Sequence, residues 1–172
     1  FSTLKELGVE KNTIVLFMSD NGGSRGTSMG PLKGGKGSLY EGGPRTPFLI
    51  RWPESILAGK VSHEIGVSSD LLPTFAKLCG GKLSGNRIDG RDLSDLFLDP
   101  DKAKSPHEGF AHKGKAYRLG KWKMVGKQLF DLEKDLGETH NLAKQYPEVL
   151  KKLSQKNNKF FSVMELSLIH IS

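Results

Sequence analysis

Cysteine is almost absent from this 172-residue chain, which contains Cys79 alone and therefore forms no internal disulfide. Because Cys79 ends an apolar helical pattern, "FAKLCGG", we expect a core residue before a glycine helix stop and not a nucleophile. No signal peptide and no apolar run long enough for a membrane span is visible. No recognised nucleic-acid-binding motif occurs either, so the sequence does not support nucleic acid as a partner.

Positive charge is in excess, with 26 Lys and Arg against 19 Asp and Glu and a formal net charge of +7. This balance favours anionic partners. The densest basic stretch, "KGKAYRLGKWKMVGK" at residues 113–127, is predicted to be a solvated strand face, with a nucleic-acid-binding stripe as the alternative. Hydrophobic residues make up 36% of the chain and charged residues 26%, so a packed core is expected.

Short apolar runs and helical patterns alternate along the first hundred residues. The segments "TIVLFM" (13–18) and "PFLIRWP" (47–53) are predicted to be strands buried on both faces, as in a parallel sheet. "FSTLKELGVEKNT" and "VSSDLLPTFAKLCGG" are predicted helices, and Asp70 or Ser69 is expected to cap the second, with Pro73 in its first turn. We therefore predict an α/β domain over residues 1–105.

From about Ser105 the segments become shorter and turns separate them, which predicts an antiparallel meander. The segment "ETHNLAKQYPEVLKKLSQKNNKFF" (138–161) is predicted to be a closing helix with Pro147 in its early turns. Residues 106–165 are therefore predicted to form a small C-terminal antiparallel β subdomain packed with a helix.

Both ends of the chain suggest a piece of a longer product. The chain opens without methionine and inside a helix–strand unit, so we expect a fragment. The last seven residues, "LSLIHIS" (166–172), do not continue the preceding amphipathic helix. They match the translation of a common transposase-based sequencing adapter, and we exclude them from fold reasoning as a scar.

A glycine-rich loop at residues 30–47, "GPLKGGKGSLYEGGPRTP", raises the possibility of an anion site. Its first seven residues fit the G-x-x-x-x-G-K part of a nucleotide-binding P-loop, but Gly37 stands where the magnesium-binding Ser or Thr is required. The following Gly and Pro residues also prevent the helix that a P-loop needs. The glycines still let the backbone approach an anion, and Lys36 adds a positive charge. The alternative is a surface loop with a solvated lysine.

The segment "SDNGG" (19–23) precedes this loop and directly follows the first predicted strand. Ligands of open α/β sheets bind beyond the carboxyl ends of strands. Asp20 and Asn21 supply hard oxygen ligands, which suit Ca²⁺ or Mg²⁺ better than zinc. The alternative is an ordinary Asp-Asn-Gly turn. Together with Lys36, the pair predicts half of a site in which a divalent cation and a lysine converge on one oxyanion.

On these segments the chain resembles the type I, formylglycine-dependent sulfatases, the arylsulfatase family. The matching segments are "TIVLFMSDNGG", "PLKGGKGSLYEGGPRTPFLIRWP", "DLLPTFAKLCG", "IDGRDLSDLF", "AYRLGKWKMV" and "LFDLEKDLGETHNLA", in the order of that family, over about residues 1–155. One departure is Leu136, which stands where proline is usual. The resemblance implies an alkaline-phosphatase-like α/β fold whose C-terminal part is a small antiparallel sheet.

The resemblance also implies roles for individual residues. Asp20 and Asn21 match the pair that ligates the active-site calcium, and Lys36 matches the lysine that binds the sulfate ester and stabilises the leaving oxygen. His112 stands where relatives carry a histidine near the site mouth, so a substrate contact and an exposed turn histidine are both open. Lys33 replaces an arginine of many relatives and has no assigned role. Three further motif residues are expected to hold the shape of the loop: Tyr40, Glu41 and Arg45. Three other histidines are expected at the surface: His63, His107 and His140.

The nucleophile of the family is a formylglycine made in a C/S-x-P-x-R motif, which this chain does not contain. The resemblance therefore implies a calcium-dependent sulfatase whose nucleophile lies upstream, and the 172 residues alone are expected to be inactive. The expected partner is a sulfated small molecule or sulfated glycan, and the expected location is periplasmic or secreted. The alternatives are a phosphonate or phosphodiester hydrolase of the same superfamily and a non-catalytic anion- or glycan-binding module.

Overall fold

The structure, a computed structural model, describes residues 1–24, 26–84 and 88–169. Of the seven residues attributed to an adapter, 170–172 lie outside the described residues. The chain forms two compact units: Phe1–Met18 with Phe48–Glu108, and Ser19–Pro47 with Gly109–Ser172. The glycine-rich loop therefore belongs to the same unit as the C-terminal segments. No helix in the described part of the chain is long and apolar enough to cross a membrane.

The first unit contains a two-stranded sheet. After α1 (Ser2–Glu6) and a 3₁₀ turn (Glu10–Asn12), β1 (Val15–Met18) pairs with β2 (Phe48–Arg51). The pairing is antiparallel, so the predicted parallel arrangement is wrong. Burial on both faces is also wrong, because the cross-strand neighbours Phe17 and Leu49 are 63% and 60% exposed. A short apolar run favours a strand, but it carries no information on the direction of its neighbour.

Two helices complete the first unit. A 3₁₀ turn (Ser68–Asp70) leads into α2 (Leu71–Leu78), and α3 (Ser94–Leu98) begins within the segment "IDGRDLSDLF". Leu93, Leu96 and Phe97 form the buried core of this unit, and residues of α2 and β2 pack against it. The prediction that Cys79 is a core residue is wrong, because Cys79 is exposed directly after the end of α2.

Asp70 lies at the predicted cap position of α2, but its side chain caps nothing in that helix. Its buried carboxylate accepts the backbone N–H groups of Val67 and Arg91, both at 2.8 Å. It also contacts Nε2 of His107 at 2.8 Å. The side chain of His107 is 14% exposed, so its prediction as a surface residue is wrong. An isolated histidine in the sequence gave no sign of this distant carboxylate partner.

The second unit is built on the predicted meander, which is confirmed. Its four strands, β3 (Phe110–His112), β4 (Ala116–Leu119), β5 (Trp122–Val125) and β6 (Gln128–Asp131), pair antiparallel in chain order. Leu153 of the last helix, α4 (Pro147–Ile169), is buried against one face of this sheet. Leu39 and Tyr40 of the glycine-rich loop pack on the other face.

The closing helix begins later than predicted, at Pro147 and not near residue 138. The carboxylate of Asp135 accepts the backbone N–H groups of Thr139 and His140 at 2.8 and 2.7 Å. Glu138 has a positive φ of 52°, which no α-helix contains. Local hydrogen bonds of an Asp side chain thus compete successfully with helix formation in this segment.

Candidate anion and cation site

The "SDNGG" segment forms a turn that is held against the glycine-rich loop by backbone hydrogen bonds. The Ser19 hydroxyl donates to the carbonyl of Asn21 at 2.9 Å. The N–H of Gly22 donates to the carbonyl of Gly43 at 2.9 Å. A Cβ atom at Gly22 would lie 1.8 Å from the carbonyl oxygen of Gly42, so this approach requires glycine. The "SDNGG" segment and the Gly42–Gly43 part of the loop are therefore packed backbone to backbone.

Lys36 is attached to the same turn. Its N–H donates to the carbonyl of Gly23 at 2.9 Å, and a Cβ atom at Gly35 would lie 2.7 Å from that oxygen. The Lys36 side chain is exposed. An open depression of about 380 Å³ lies here, lined by Gly23, Ser24, Gly26, Thr27, Met29, Gly34, Gly35 and Lys36. A flexible cation at the edge of a backbone-lined depression is suited to hold an anion.

Asp20 and Asn21 lie two to three residues before Gly23, in the turn that Lys36 contacts. Asp20 is exposed and Asn21 is half-buried. In the part of the chain that the structure describes, the side-chain oxygens of neither residue take part in a hydrogen bond or ion pair. Two uncommitted hard oxygen donors on one turn fit a calcium ion as part of its ligand set. The described residues contain no cluster of three acidic, histidine or cysteine side chains, so further ligands would have to come from elsewhere.

His112 ends strand β3 and contacts the glycine-rich loop. Its Nε2 lies 3.3 Å from the carbonyl oxygen of Ser38, and its ring stacks on Phe110 with centroids 6.0 Å apart. Burial, followed by the nearby Lys123 and Lys113 charges, lowers the pKa of the imidazole below its ordinary value. His112 is thus a half-buried strand residue and not an exposed turn histidine. It contacts Ser38, which lies two positions after Lys36 in the loop. Of the remaining histidines, His63 and His140 are exposed, as predicted.

Glu41 fixes the other end of the loop in a buried ionic cluster. Its carboxylate is 3% exposed and accepts a hydrogen bond from Nζ of Lys123 at 2.7 Å. Guanidinium nitrogens of Arg45 and Arg118 lie 3.7 Å from its second oxygen. Lys123 is 1% exposed, so its prediction as part of a solvated strand face is wrong. The loop covers this face of the sheet, and the β5 sequence by itself does not predict that Lys123 is buried beneath it.

Tyr40 and Lys33 pack the loop onto strand β6. The Tyr40 hydroxyl donates to Gln128 at 2.7 Å, and its ring meets Phe130 edge-on at 6.1 Å. The ammonium of Lys33 lies 4.0 Å from the Tyr40 ring centroid and donates to the backbone carbonyl of Glu138 at 3.0 Å. These contacts agree with a shape-holding role for Tyr40 and Glu41, and they give Lys33 a place in the same scaffold.

Glu138 is a component of this scaffold that the sequence analysis missed. It is fully buried, and its Oε2 accepts the backbone N–H of Glu41 at 2.6 Å. Burial raises the pKa of its carboxyl to about 6, although the Glu41 N–H and the Lys123 and Lys33 charges oppose the shift. The signal that could have found it is its place in "LFDLEKDLGETHNLA", a motif that was used only to support the resemblance.

Three comparisons with known proteins agree with this picture. The sulfatase family model matches residues 1–81. Steryl-sulfatase of Mus musculus is 43% identical over 127 residues, which are 67% of this chain and 20% of the relative. Arylsulfatase A of Homo sapiens is 36% identical, with 90% of this chain and 39% of the relative covered. The crystal structure of Ps i-CgsB in complex with k-i-k-neocarrahexaose superposes with a TM-score of 0.79 at 35% identity, covering 92% of this chain and 38% of that one.

The architecture is therefore that of the alkaline-phosphatase-like α/β fold of the sulfatases. The chain belongs to the type I sulfatase family, which confirms the resemblance read from the sequence. It spans between about a fifth and two fifths of the length of the curated relatives that it matches.

Proposed function

We propose that the chain supplies part of the active site of an enzyme that hydrolyses sulfate esters. Lys36 binds the sulfate ester and stabilises the leaving oxygen. One observation carries this proposal: the 2.9 Å hydrogen bond from the Lys36 N–H to Gly23 holds the lysine beside the Asp20–Asn21 turn. The exposed ammonium, and a divalent cation that the Asp20 and Asn21 oxygens would hold, could thereby act on one bound oxyanion.

Asp20 and Asn21 are proposed to bind calcium. Calcium, when bound, offsets negative charge on the sulfate group in the ground state and in the transition state. The two side chains contribute hard oxygen ligands of unequal charge, one carboxylate and one carboxamide. Lys36 contributes an ammonium that follows the ester oxygen on a flexible stem. His112, which lies beside the Ser38 carbonyl at the edge of the loop, is proposed to contact the substrate.

The nucleophile is proposed to be a formylglycine that lies outside these 172 residues, since no C/S-x-P-x-R motif occurs within them. The substrate is proposed to be a sulfated small molecule or sulfated glycan. The names of the similar proteins, a steryl-sulfatase, an arylsulfatase and a protein in complex with an oligosaccharide, support both classes. A periplasmic or secreted location rests on the family resemblance.

Titration of the ¹⁵N-labelled chain with inorganic sulfate tests the anion site. We expect shifts of the Gly23, Gly35 and Lys36 amides, and a loss of affinity of about tenfold or more in Lys36→Ala, because a charged hydrogen bond is removed. Lys127→Ala is the matched control: this lysine is exposed in the turn between β5 and β6. Equal affinities of Lys36→Ala and the parent chain would contradict the proposal.

Sequencing the source DNA upstream of Phe1 tests the proposed nucleophile. An in-frame C/S-x-P-x-R motif is expected. The protein expressed from that longer frame should hydrolyse 4-nitrophenyl sulfate faster than a nitrophenyl phosphonate monoester, and the opposite preference would favour the phosphonate hydrolase alternative. Binding of sulfated ligand without turnover by the longer product would favour the non-catalytic module.

A further inference from the structure

The carboxyl group of Glu138 is buried and makes a single hydrogen bond among the described residues. The side chain is completely inaccessible to solvent, and its Oε2 accepts the Glu41 N–H at 2.6 Å. Its Oε1 is buried and has no hydrogen-bond partner in the part of the chain that the structure describes. A buried carboxyl with one oxygen that lacks a hydrogen bond lowers the stability of the fold. We therefore expect the one hydrogen bond that it does make to be important. That contact is with the backbone of the glycine-rich loop.

The backbone of Glu138 holds the same loop at a second point. Its carbonyl accepts a hydrogen bond from Nζ of Lys33 at 3.0 Å. The φ of 52° at Glu138 is uncommon for a residue with a long side chain. Glu138 is therefore held in an unfavourable backbone conformation while two of its groups bind the loop. Its carbonyl binds Lys33, three residues before Lys36, and its carboxyl binds Glu41, five residues after Lys36.

Hydrogen bonds within the loop connect these two points to Lys36. The Gly42 N–H donates to the Lys33 carbonyl at 2.8 Å and closes the loop into a ring. A Cβ atom at Gly42 would lie 2.5 Å from that carbonyl oxygen, so the ring has little room to adjust. Lys36 lies inside the ring and is bonded to Gly23. A displacement at Glu41 would therefore be transmitted to Lys36 and to the turn that carries Asp20 and Asn21.

We propose that Glu138 is a positioning residue for the anion site: it holds the glycine-rich loop at Glu41 and at Lys33 so that Lys36 meets the bound anion. The inference rests on the proposed role of Lys36 as the anion ligand. It assigns a function in the binding of substrate to the segment between β6 and α4, in which Glu138 is separated from Glu41 by 97 positions in the sequence.

Three substitutions of Glu138 test the proposal, with inorganic sulfate as the probe. Glu138→Gln keeps an acceptor oxygen at the same distance and should bind sulfate within about threefold of the parent chain. Glu138→Asp withdraws the carboxylate from the Glu41 N–H, and Glu138→Ala removes it. Both should weaken sulfate binding about tenfold, since a hydrogen bond to a charged acceptor is lost. Glu133→Ala, an exposed residue of the same segment, is the control.

Hydrogen exchange of the backbone amides supplies a readout that needs no ligand. In Glu138→Asp we expect faster exchange of the Glu41, Gly42 and Gly43 amides, with unchanged exchange in β4 and β5. Faster exchange throughout the unit, with sulfate affinity unchanged, would overturn the positioning role and leave a purely structural one. If the parent chain and Lys36→Ala bind sulfate equally, the proposed function fails, whereas the exchange pattern still decides whether Glu138 holds the loop. If Glu138→Ala does not fold, the Gln and Asp variants carry the test.

Discussion

The ammonium of Lys123 donates to the carboxylate of Glu41 at 2.7 Å, and both side chains are buried. The two residues are 82 positions apart. Lys123 lies directly opposite Arg118 in the β4–β5 pair, an arrangement of like charges that destabilises a sheet when it is not compensated. Glu41 compensates it, because one carboxylate lies within 3.7 Å of Arg118 as well. The glycine-rich loop thus supplies the charge that the meander requires.

Lys123→Met is expected to destabilise the second unit by about 3 kcal/mol, because it leaves a buried carboxylate without its closest partner. The double variant Glu41→Gln/Lys123→Met should recover part of this loss, since it removes both charges of the Lys123–Glu41 pair. Native-state hydrogen exchange of the β4 and β5 amides measures both. Lys102→Met, in an exposed pair with Asp99, is the control and should leave exchange unchanged. A double variant less stable than Lys123→Met would contradict this account.

Glu138 should make the second unit less stable as pH rises from about 4.5 to about 6. Its pKa is raised from 4.5 to about 6 in the folded chain, so the folded state binds more protons than the unfolded state between these values. Folding stability from this group is complete below pH 4.5 and falls by about 2 kcal/mol as pH rises through the folded pKa. Glu138→Gln should remove this part of the pH dependence.

The measurement is urea unfolding of the parent chain and of Glu138→Gln at several pH values between 4 and 7.5. The difference between the two curves isolates Glu138 from the other titrating groups. If the free energy of unfolding of the two chains depended on pH in the same way, the Glu138 carboxyl would titrate equally in the folded and unfolded states, and the prediction would be wrong.

His112 is expected to titrate below the ordinary histidine range. Burial and the charges of Lys123 and Lys113 both favour the neutral imidazole. Its contribution to folding stability is therefore present at neutral pH and is lost as pH falls through the unfolded and then the folded pKa. An NMR titration of the imidazole carbons measures the value directly. Lys113→Ala, which removes one of the two cations, should raise the pKa, and a pKa that falls in this variant would reject the assigned cause.

Gly42→Ala should disrupt the glycine-rich loop. The added Cβ would lie 2.5 and 2.6 Å from the carbonyl oxygens of Lys33 and Gly34, and backbone atoms cannot move aside cheaply. We expect a loss of about 2 kcal/mol or more of stability in the second unit, together with loss of sulfate binding. Gly59→Ala is the comparison, since its φ of 75° is strained for alanine but its surroundings are open. That variant should cost about 1 kcal/mol and leave sulfate binding intact.

Local patterns predicted much of the fold and the residues proposed for the site. The meander and α2 follow from turn residues and hydrophobic periodicity, and the proposal that the loop binds an anion follows from a lysine among glycines, all of which act over a few residues. The direction of the β1–β2 pairing could not be predicted, because the apolar runs are equally compatible with either direction. The burial of Lys123 and His107 was missed for a related reason: each is stabilised by a carboxylate that is distant in the sequence, Glu41 and Asp70.

The sequence by itself determined the family, the order of the elements after residue 105 and the residue types available for binding an anion and a cation. Only the tertiary structure decided that the glycine-rich loop packs on the meander, with Glu138 bonded to Glu41 and Lys36 bonded to Gly23. The physical reason is burial. A carboxylate or an ammonium is stable away from water only with a partner, and which distant residue provides that partner is settled when the chain has folded.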